Sequence, residues 1–200
     1  MNRLLTTLLA LLISAPVWAE RDPQYLVQTT SEKMLSVLNE RRDEVEKSSD
    51  LLIQITDEII SPYFDFARIS RLALGKYWRK ATPEQQKVFS MEFHSLLLRT
   101  YSKALLTLGS EEIRYPKPKA SKRADRITIP TLVKKEGSTK PVAINYKLYQ
   151  KKELWKVYDI AIDGVSLVAN YRKQFATYIK REGVESLIAA LQKRNQASRQ

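Results

Sequence analysis

The feature that most constrains this chain is a strand that leads directly into a helix. Residues 154–162 are rich in apolar and aromatic side chains, which is typical of a buried strand. Asp163-Gly164 then predicts a tight corner, because glycine supplies the backbone freedom that such a turn needs. Apolar residues follow at three- and four-residue spacing, on one face of a helix: Leu167, Val168, Tyr171, Phe175, Tyr178 and Ile179. The corner predicts either one wall of an apolar ligand cavity or an ordinary core shared by strand and helix.

The first 19 residues have the pattern of a signal peptide. Arg3 gives a positive start, residues 4–13 form an apolar run too short to span a bilayer, and small residues precede a predicted cleavage after Ala19. The next residue is Glu20 rather than a cysteine, so no lipid anchor is expected there. The sequence therefore predicts a signal peptide at 1–19 and one exported, soluble domain at 20–200.

Cysteine content and charge narrow the classes of protein further. The chain has no cysteine, so its fold must be stabilised by a core rather than by disulfides. Its formal net charge is +12, and loss of Arg3 leaves 12 − 1 = +11 for residues 20–200. In an exported protein this charge favours anionic membrane surfaces, lipid headgroups or acidic protein partners over nucleic acid. A basic surface that serves only solubility is the alternative.

The first half of the chain is predicted to be helical. A first helix starts at Asp22-Pro23, and residues 40–44 are interpreted as its solvated continuation. Asp50 is predicted to cap a second helix that ends at Ser61-Pro62, and a third short helix ends at Gly75.

A long helix is predicted after these, with the clearest start in the sequence. Thr82 and Gln85 have the spacing of a capping box, and Pro83 occupies the first turn. The apolar stripe that follows ends at Gly109 and predicts a central helix against which a sheet packs: Val88, Phe89, Phe93, Leu96, Leu97, Thr100, Tyr101, Ala104, Leu105 and Leu108.

The second half of the chain is predicted to form strands at residues 111–115, 126–134, 142–149 and 154–162. Pro130 indicates a sheet edge or a bulge in the second of them. Short turns between successive strands indicate antiparallel pairing. The sequence therefore predicts an α+β fold: a curved antiparallel sheet of about four strands, with helices packed on one face, enclosing an apolar cavity.

The residues that usually perform catalysis are sparse. His94 is the only histidine, which excludes metal sites built from several histidines, and we expect it to be structural or at the surface. Ser166 lacks the second glycine of a nucleophile elbow and is interpreted as a helix-start residue. We expect Asp159 to pair with a nearby Lys or Arg, and Asp163 to be a turn and cap residue. The sequence thus predicts no enzyme, no catalytic residue, no metal and no cofactor.

Tyrosines and a basic loop are the features that favour ligand binding. A tyrosine has an apolar ring and a polar hydroxyl, which suits an apolar pocket whose opening is in contact with water. The tyrosines in question are Tyr101, Tyr146, Tyr158, Tyr171 and Tyr178. Basic residues in and after a proline-rich loop either meet anionic headgroups or are simply solvated: Lys117, Lys119, Lys122, Arg123 and Arg126.

A series of short motifs has the order and spacing of a known family. The motifs are Tyr63-Phe64-Asp65-Phe66, Leu74-Gly75 with Tyr77-Trp78, residues 81–85 with Phe89 and Phe93, Tyr158-Asp159, residues 162–168, Asn170-Tyr171-Arg172 and Gln174-Phe175. With them the chain resembles the MlaC family, also called the toluene-tolerance family, from about residue 25 to residue 191. The loop at 110–125 carries none of the resemblance.

The resemblance implies a non-enzymatic phospholipid carrier of the periplasm of Gram-negative bacteria. It implies that phospholipid is cargo, with its acyl chains in an internal apolar pocket, and that the carrier is a monomer. The implied partners are an outer-membrane lipoprotein–porin complex and an inner-membrane ABC transporter complex, with transient contact with the membrane surface and no contact with nucleic acid. Exchange between the two complexes would maintain outer-membrane lipid asymmetry.

The predicted lipid-binding residues come from the long helix, from the alternating third strand and from the corner after the fourth. They are Phe93, Leu97, Tyr101 and Leu105, then Val142, Ile144, Tyr146 and Leu148, then Ile160, Ile162, Val165 and Val168. Two alternatives remain: a periplasmic hydrolase acting on lipid or cell-wall substrates, and a ligand-free adaptor between membrane complexes.

Overall fold

The computed structural model describes residues 22–106, 112–119, 121–134 and 139–197. The predicted signal peptide and Gly109 lie outside these residues. Within them the helices are α1 (Pro23–Glu40), α2 (Arg42–Lys47), α3 (Ser49–Ile60), α4 (Phe66–Leu74), a short 3₁₀ helix (Gly75–Lys80), α5 (Pro83–Leu106) and α6 (Leu167–Ala197). The strands are β1 (Glu112–Arg114), β2 (Arg126–Lys134), β3 (Val142–Lys151), β4 (Leu154–Ile162) and β5 (Val165–Ser166).

The chain between α1 and α3 differs from the sequence prediction in two ways. Residues 40–44 do not continue α1, because the helix ends at Glu40 and a separate helix α2 begins at Arg42. Val45 of α2 is buried and packs in one cluster with Leu38 and Leu52. The break between α1 and α2 therefore keeps this valine in the core. Ser48 rather than Asp50 caps α3, since its hydroxyl accepts a hydrogen bond from a backbone N–H of the first turn at 3.2 Å.

A glycine fixes the end of α4 against α6. Gly75 has a φ of +59°, a conformation that side chains rarely adopt, and a Cβ there would lie 3.3 Å from Cδ of Arg172. The Nε of Arg172 donates a hydrogen bond to the carbonyl oxygen of Leu72 at 2.6 Å. The arginine therefore crosses the end of α4 at a place where a side chain on residue 75 would crowd it and would strain the backbone.

Helix α5 lies at the centre of the helical layer. Its predicted capping box is confirmed: the N–H of Gln85 donates to Oγ1 of Thr82 at 3.2 Å, and the N–H of Thr82 donates to Oε1 of Gln85 at 3.0 Å. Phe93 packs edge-on against Tyr171 and Phe175 of α6, with ring centroids 5.0 and 5.2 Å apart. The prediction that the sheet packs directly on this helix is wrong, because α5 packs on α3, α4 and α6 while a cavity separates it from the sheet.

The sheet is open and antiparallel, in the order β1-β2-β3-β4-β5. It has one strand more than the predicted four, because the two residues after the corner form β5 and pair with the end of β4. Pro130 pairs with Asn145 of β3, whereas β1 pairs only with residues 132–134 of β2. Pro130 therefore lies at a sheet edge on its β1 side, which is where a residue without an N–H is tolerated.

Strand β4 contains a bulge that changes which of its residues face the helices. Lys147 pairs with Asp159 and Leu148 pairs with Val157, so Tyr158 is an extra residue in β4. Val157 and Ile160 both line the cavity, although strict alternation would put two residues three apart on opposite faces. The bulge thus gives β4 a longer apolar surface toward the helices.

Helix α6 is interrupted at Gly183. Gly183 has φ 85° and ψ 171°, and the helical part after it buries Leu187, Ile188 and Leu191. Among the helices of the described residues, none has the length and apolar character needed to cross a membrane.

Candidate ligand cavity

An apolar cavity of about 410 Å³ lies between α5 and the sheet. Its lining comes from α1, α3, α4, β1–β4 and the start of α6 as well as α5, so most elements of the fold contribute one or more side chains. The lining is mainly aliphatic and aromatic, with a few hydroxyl groups and one carboxylate. A cavity of this size and composition is typical of a site for an apolar ligand.

One wall of the cavity is α5. Phe93, Leu97, Tyr101 and Leu105 recur every four residues and all line the cavity, as do Leu98, Ser102 and Ala104 beside them. The four-residue spacing places the first set on one helical face. These four are among the predicted lipid-binding residues, and the structure brings them together.

The opposite wall is the sheet. Val142, Ile144 and Tyr146 alternate along β3 and line the cavity. Leu148 shares their face but does not line the cavity; it is fully buried in a cluster with Ile129, Trp155 and Val157, of which Val157 also lines the cavity. Alternation therefore identifies the face correctly but does not show where along the strand the cavity ends.

The corner after β4 is divided between cavity and surface. Ile160 and Val168 line the cavity, whereas Ile162 and Val165 do not. Val165 is 59% exposed, because it belongs to the two-residue edge strand β5, where it pairs with Ile162. The cavity is therefore lined by β4 before the corner and by the first turn of α6 after it, and not by the corner itself.

The sequence analysis missed the wall that α1 contributes. Leu26, Val27, Thr30, Ser31, Met34 and Leu35 all line the cavity. The hydroxyls of Thr30 and Ser31 donate to backbone carbonyl oxygens one turn earlier, at 2.7 and 2.8 Å, so they add little polarity to this wall. The only signal in the sequence is an apolar helical face that includes small hydroxyl residues, and a core-facing helix has the same pattern.

The five predicted pocket tyrosines fall into two groups. Tyr101, Tyr146 and Tyr171 line the cavity, whereas Tyr158 and Tyr178 do not. Burial raises the pKa of Tyr146 to about 12, and burial together with Tyr171 raises the pKa of Tyr101 further. Both phenols therefore stay neutral at physiological pH and present no charge to an apolar ligand.

Two buried hydroxyls of the cavity lining have no hydrogen-bond partner among the described residues. Ser102 of α5 is 1% exposed and Thr131 of β2 is 2% exposed, and both hydroxyl oxygens are without a partner. A buried hydroxyl in this state costs about 1–3 kcal/mol. Such groups are suited to hydrogen-bond a polar atom of a ligand.

The carboxylate of Asp159 joins β4 to the start of α6. It accepts hydrogen bonds from Nζ of Lys147 at 2.9 Å, from Oγ of Ser166 at 2.6 Å and from the N–H of Val168 at 3.1 Å. Ser166 in turn accepts from the N–H of Ala169 at 3.1 Å. The expected pairing of Asp159 with a lysine and the helix-start role of Ser166 are therefore confirmed. Asp163 lies in the turn and accepts from the N–H of Ala143 at 3.0 Å.

His94 lies on α5 beside the cavity lining and contacts two polar side chains through one nitrogen. Its Nε2 is 3.1 Å from Oδ1 of Asp57 and 3.4 Å from Oγ of Ser61, and the ring of Phe66 packs on it at 3.8 Å. Burial lowers the pKa of His94, while Asp57 acts in the opposite direction. Since both contacts use Nε2, Asp57 does not orient the ring for Ser61 as a Ser–His–Asp triad requires.

The remaining candidates for chemistry lie away from the cavity. In the described residues no group of three or more His, Asp or Glu side chains could hold a metal ion. The basic loop is exposed and does not line the cavity, and its Arg123 pairs with Asp125 at 2.9 Å.

Fold and cavity together define a class: α+β proteins that enclose an apolar cavity between a helical layer and an open antiparallel sheet. The sequence model of the family described as MlaC protein matches residues 28–193. The chain belongs to the MlaC family, and the resemblance carried by its short motifs is confirmed.

Relatives in other bacteria are similar over nearly the whole chain. The intermembrane phospholipid transport system binding protein MlaC of Haemophilus influenzae is 24% identical over 187 residues, which cover 92% of this chain and 87% of that protein. The toluene tolerance protein ttg2D of Pseudomonas putida is 28% identical over 179 residues, with 88% and 82% covered. A phospholipid-binding protein from Ralstonia solanacearum, solved in complex with a phospholipid, is 34% identical with a TM-score of 0.82, covering 90% of this chain and 99% of that one.

Proposed function

We propose that this protein is a phospholipid carrier of the periplasm that holds acyl chains in the cavity between α5 and the sheet. The observation that carries the proposal is the apolar cavity of about 410 Å³. It is supported by the shared fold with a phospholipid-binding protein solved with its ligand and by the relative named as a phospholipid transport protein.

The hydrophobic effect explains why such a carrier is needed and why it can exchange its cargo. Moving one methylene from water into an apolar environment is worth about 0.8 kcal/mol, so a two-chain lipid does not cross an aqueous space unaided. Transfer from a bilayer into an apolar cavity is much closer to neutral, because both environments are hydrocarbon-like. The direction of exchange then depends on differences in affinity at the docking partners.

The proposed lipid-binding residues are those predicted from sequence that line the cavity, together with the α1 wall. The predicted set is Phe93, Leu97, Tyr101, Leu105, Val142, Ile144, Tyr146, Ile160 and Val168. Acyl chains pack against the aliphatic and aromatic members. The hydroxyls of Ser102 and Thr131 donate hydrogen bonds to ester oxygens of the glycerol backbone, which offsets the cost of their burial without a protein partner.

The proposed partners follow from the carrier function. The protein takes and delivers phospholipid at an outer-membrane lipoprotein–porin complex and an inner-membrane ABC transporter complex, and so maintains outer-membrane lipid asymmetry. The net charge of 12 − 1 = +11 on residues 20–200 favours transient contact with anionic membrane surfaces. It acts as a monomer, without catalysis and without nucleic acid.

Native mass spectrometry tests the proposal most directly. The protein is purified without detergent, its intact mass is measured under native conditions, and bound material is extracted with solvent and identified. A carrier gives a stoichiometric phospholipid, or takes one up from vesicles. A protein that is free of lipid and stays so after incubation with vesicles contradicts the proposal and favours the adaptor. Turnover of lipid that Ser166→Ala abolishes favours the hydrolase.

A further inference from the structure

A second, smaller cavity of about 210 Å³ lies on the other side of α5, between the start of α3 and the end of α6. Its lining from α5 is Leu96, Arg99, Thr100 and Lys103. A helix turns about 100° per residue, so these residues lie on the face opposite to Leu97, Tyr101 and Leu105. The two cavities are therefore separated by the body of one helix and differ in chemistry.

The smaller cavity brings together three cationic side chains and two hydroxyls. Arg99 and Lys103 come from α5, Arg194 from α6, and Thr100 and Ser49 add hydroxyl groups. The side chain of Arg99 is only 12% exposed, so its charge is held close to the cavity rather than in bulk solvent. Guanidinium groups bind the oxygens of phosphate in a two-pronged manner, and a lysine adds a compact point charge.

One carboxylate pairs with a cation of this lining, and another is hydrogen-bonded to its asparagine. Oδ1 of Asp50 is 3.6 Å from a terminal nitrogen of Arg99, but the Asp50 side chain is 72% exposed. Oε2 of Glu92 accepts a hydrogen bond from Nδ2 of Asn195 at 2.7 Å. Asp50 is thus screened by solvent, and the described lining itself contains three cationic residues and no carboxylate.

Asn195 indicates which further chemical group the ligand carries. It lines the smaller cavity, is 3% exposed, and its Nδ2 donates both to the carbonyl oxygen of Glu92 at 2.9 Å and to that residue's carboxylate. Its Oδ1 has no hydrogen-bond partner among the described residues. An acceptor in this state matches a ligand that carries a hydroxyl in addition to anionic oxygens.

We propose that the smaller cavity binds a phosphate group that bears or adjoins a hydroxyl, such as hydrogen phosphate or the headgroup of a glycerophospholipid. The cationic side chains bind the anionic oxygens, and Oδ1 of Asn195 accepts the hydroxyl proton. Because this site lies across α5 from the larger cavity, a lipid whose phosphate it holds is a separate molecule from the carrier's cargo. The proposal does not rest on the carrier function.

Titration of the ¹⁵N-labelled protein followed by NMR tests the site. The probes are inorganic phosphate and glycerophosphoglycerol, each added at constant ionic strength. The test variant is Lys103→Gln with Arg194→Gln, and the control is Lys87→Gln with Lys193→Gln; all four residues are exposed and lie on α5 and α6. We expect saturable shifts at the amides of Ser49, Lys103 and Asn195, binding weakened at least about tenfold in the test variant, and no change in the control.

The outcomes distinguish the source of the phosphate group. Tighter binding of glycerophosphoglycerol indicates a lipid headgroup, and tighter binding of inorganic phosphate indicates the free ion. The proposal is overturned if neither probe gives a saturable shift, if the two double variants bind alike, or if chloride gives the same response. Lipid retention in the larger cavity is measured separately, so failure of one proposal leaves the other standing.

Discussion

The carboxylate of Asp159, at the end of β4, accepts a hydrogen bond from the backbone N–H of Val168 in the first turn of α6 at 3.1 Å. The same carboxylate is 6% exposed and pairs with Lys147 at 2.9 Å. One side chain thus joins the sheet, the corner and the helix that together form one side of the cavity.

Removing this carboxylate is expected to destabilise the fold strongly. Asp159→Ala leaves the Ser166 hydroxyl and the N–H of Val168 without their acceptor, and each unsatisfied buried group costs about 1–3 kcal/mol. Lys147 also loses its partner, but its side chain is 35% exposed and stays partly hydrated. Urea denaturation gives the free energy of unfolding. Asp125→Ala is the control, since its pair with Arg123 is exposed and should contribute at most about 1 kcal/mol. Equal losses in the two variants would contradict this role of Asp159.

A charge on the cavity wall is expected to abolish lipid retention while the protein stays folded. Leu97→Glu places a carboxyl group against the acyl chains, where it has no partner, so bound lipid should fall at least about tenfold. Met91→Glu is the matched control, because Met91 lies on the same helix and is 60% exposed. Lipid is measured by native mass spectrometry and folding by circular dichroism. Full lipid occupancy in folded Leu97→Glu would show that this wall does not contact the chains.

Replacing the unpartnered hydroxyl of Thr131 is expected to separate stability from lipid affinity. Thr131→Val keeps the shape of the side chain and removes a buried group that lacks a partner, so the lipid-free protein should be as stable or up to about 1 kcal/mol more stable. Lipid uptake from vesicles should weaken, because the ester oxygens lose a donor. A loss of stability with unchanged lipid uptake would show that the hydroxyl stabilises the folded protein and does not bind lipid.

Asp65 is expected to make stability depend on acid pH. Burial acts to raise the pKa of Asp65, but hydrogen bonds from Lys151, Tyr149 and the N–H of Arg68 outweigh it and lower the pKa below the ordinary value of about 4. The stabilisation is therefore complete above pH 4 and is lost as the pH falls through the lower value of the folded state.

The measurement for Asp65 is urea denaturation between pH 7 and pH 2. Asp65→Asn should be less stable at pH 7 and should lose less stability than the natural protein below pH 4. Asp43→Asn, at an exposed position of α2, is the control. Parallel stability curves for Asp65→Asn and the natural protein below pH 4 would contradict the assignment.

The signals that could be interpreted from sequence are local ones. The capping box of Thr82 and Gln85 needs only a three-residue spacing, and the alternation of Val142, Ile144 and Tyr146 needs only the two-residue period of a strand. These patterns determined the α+β class, the start of α5 and the cavity-facing side of β3. The turn at Asp163-Gly164 likewise followed from residue type alone, although it joins β4 to β5 and α6 begins only after that short strand.

Tertiary structure alone decided which apolar residues form core and which form cavity. Leu148 and Tyr146 share one strand face and one hydrophobic cluster, yet only Tyr146 lines the cavity. Core and cavity wall require the same residue types, so the sequence does not separate them. The extra residue Tyr158 shifts the alternation of β4, and the polar cavity behind α5 needs both α3 and α6 to pack on α5 beside Arg99. Such features depend on contacts between elements far apart in the chain, so no local pattern in the sequence predicts them.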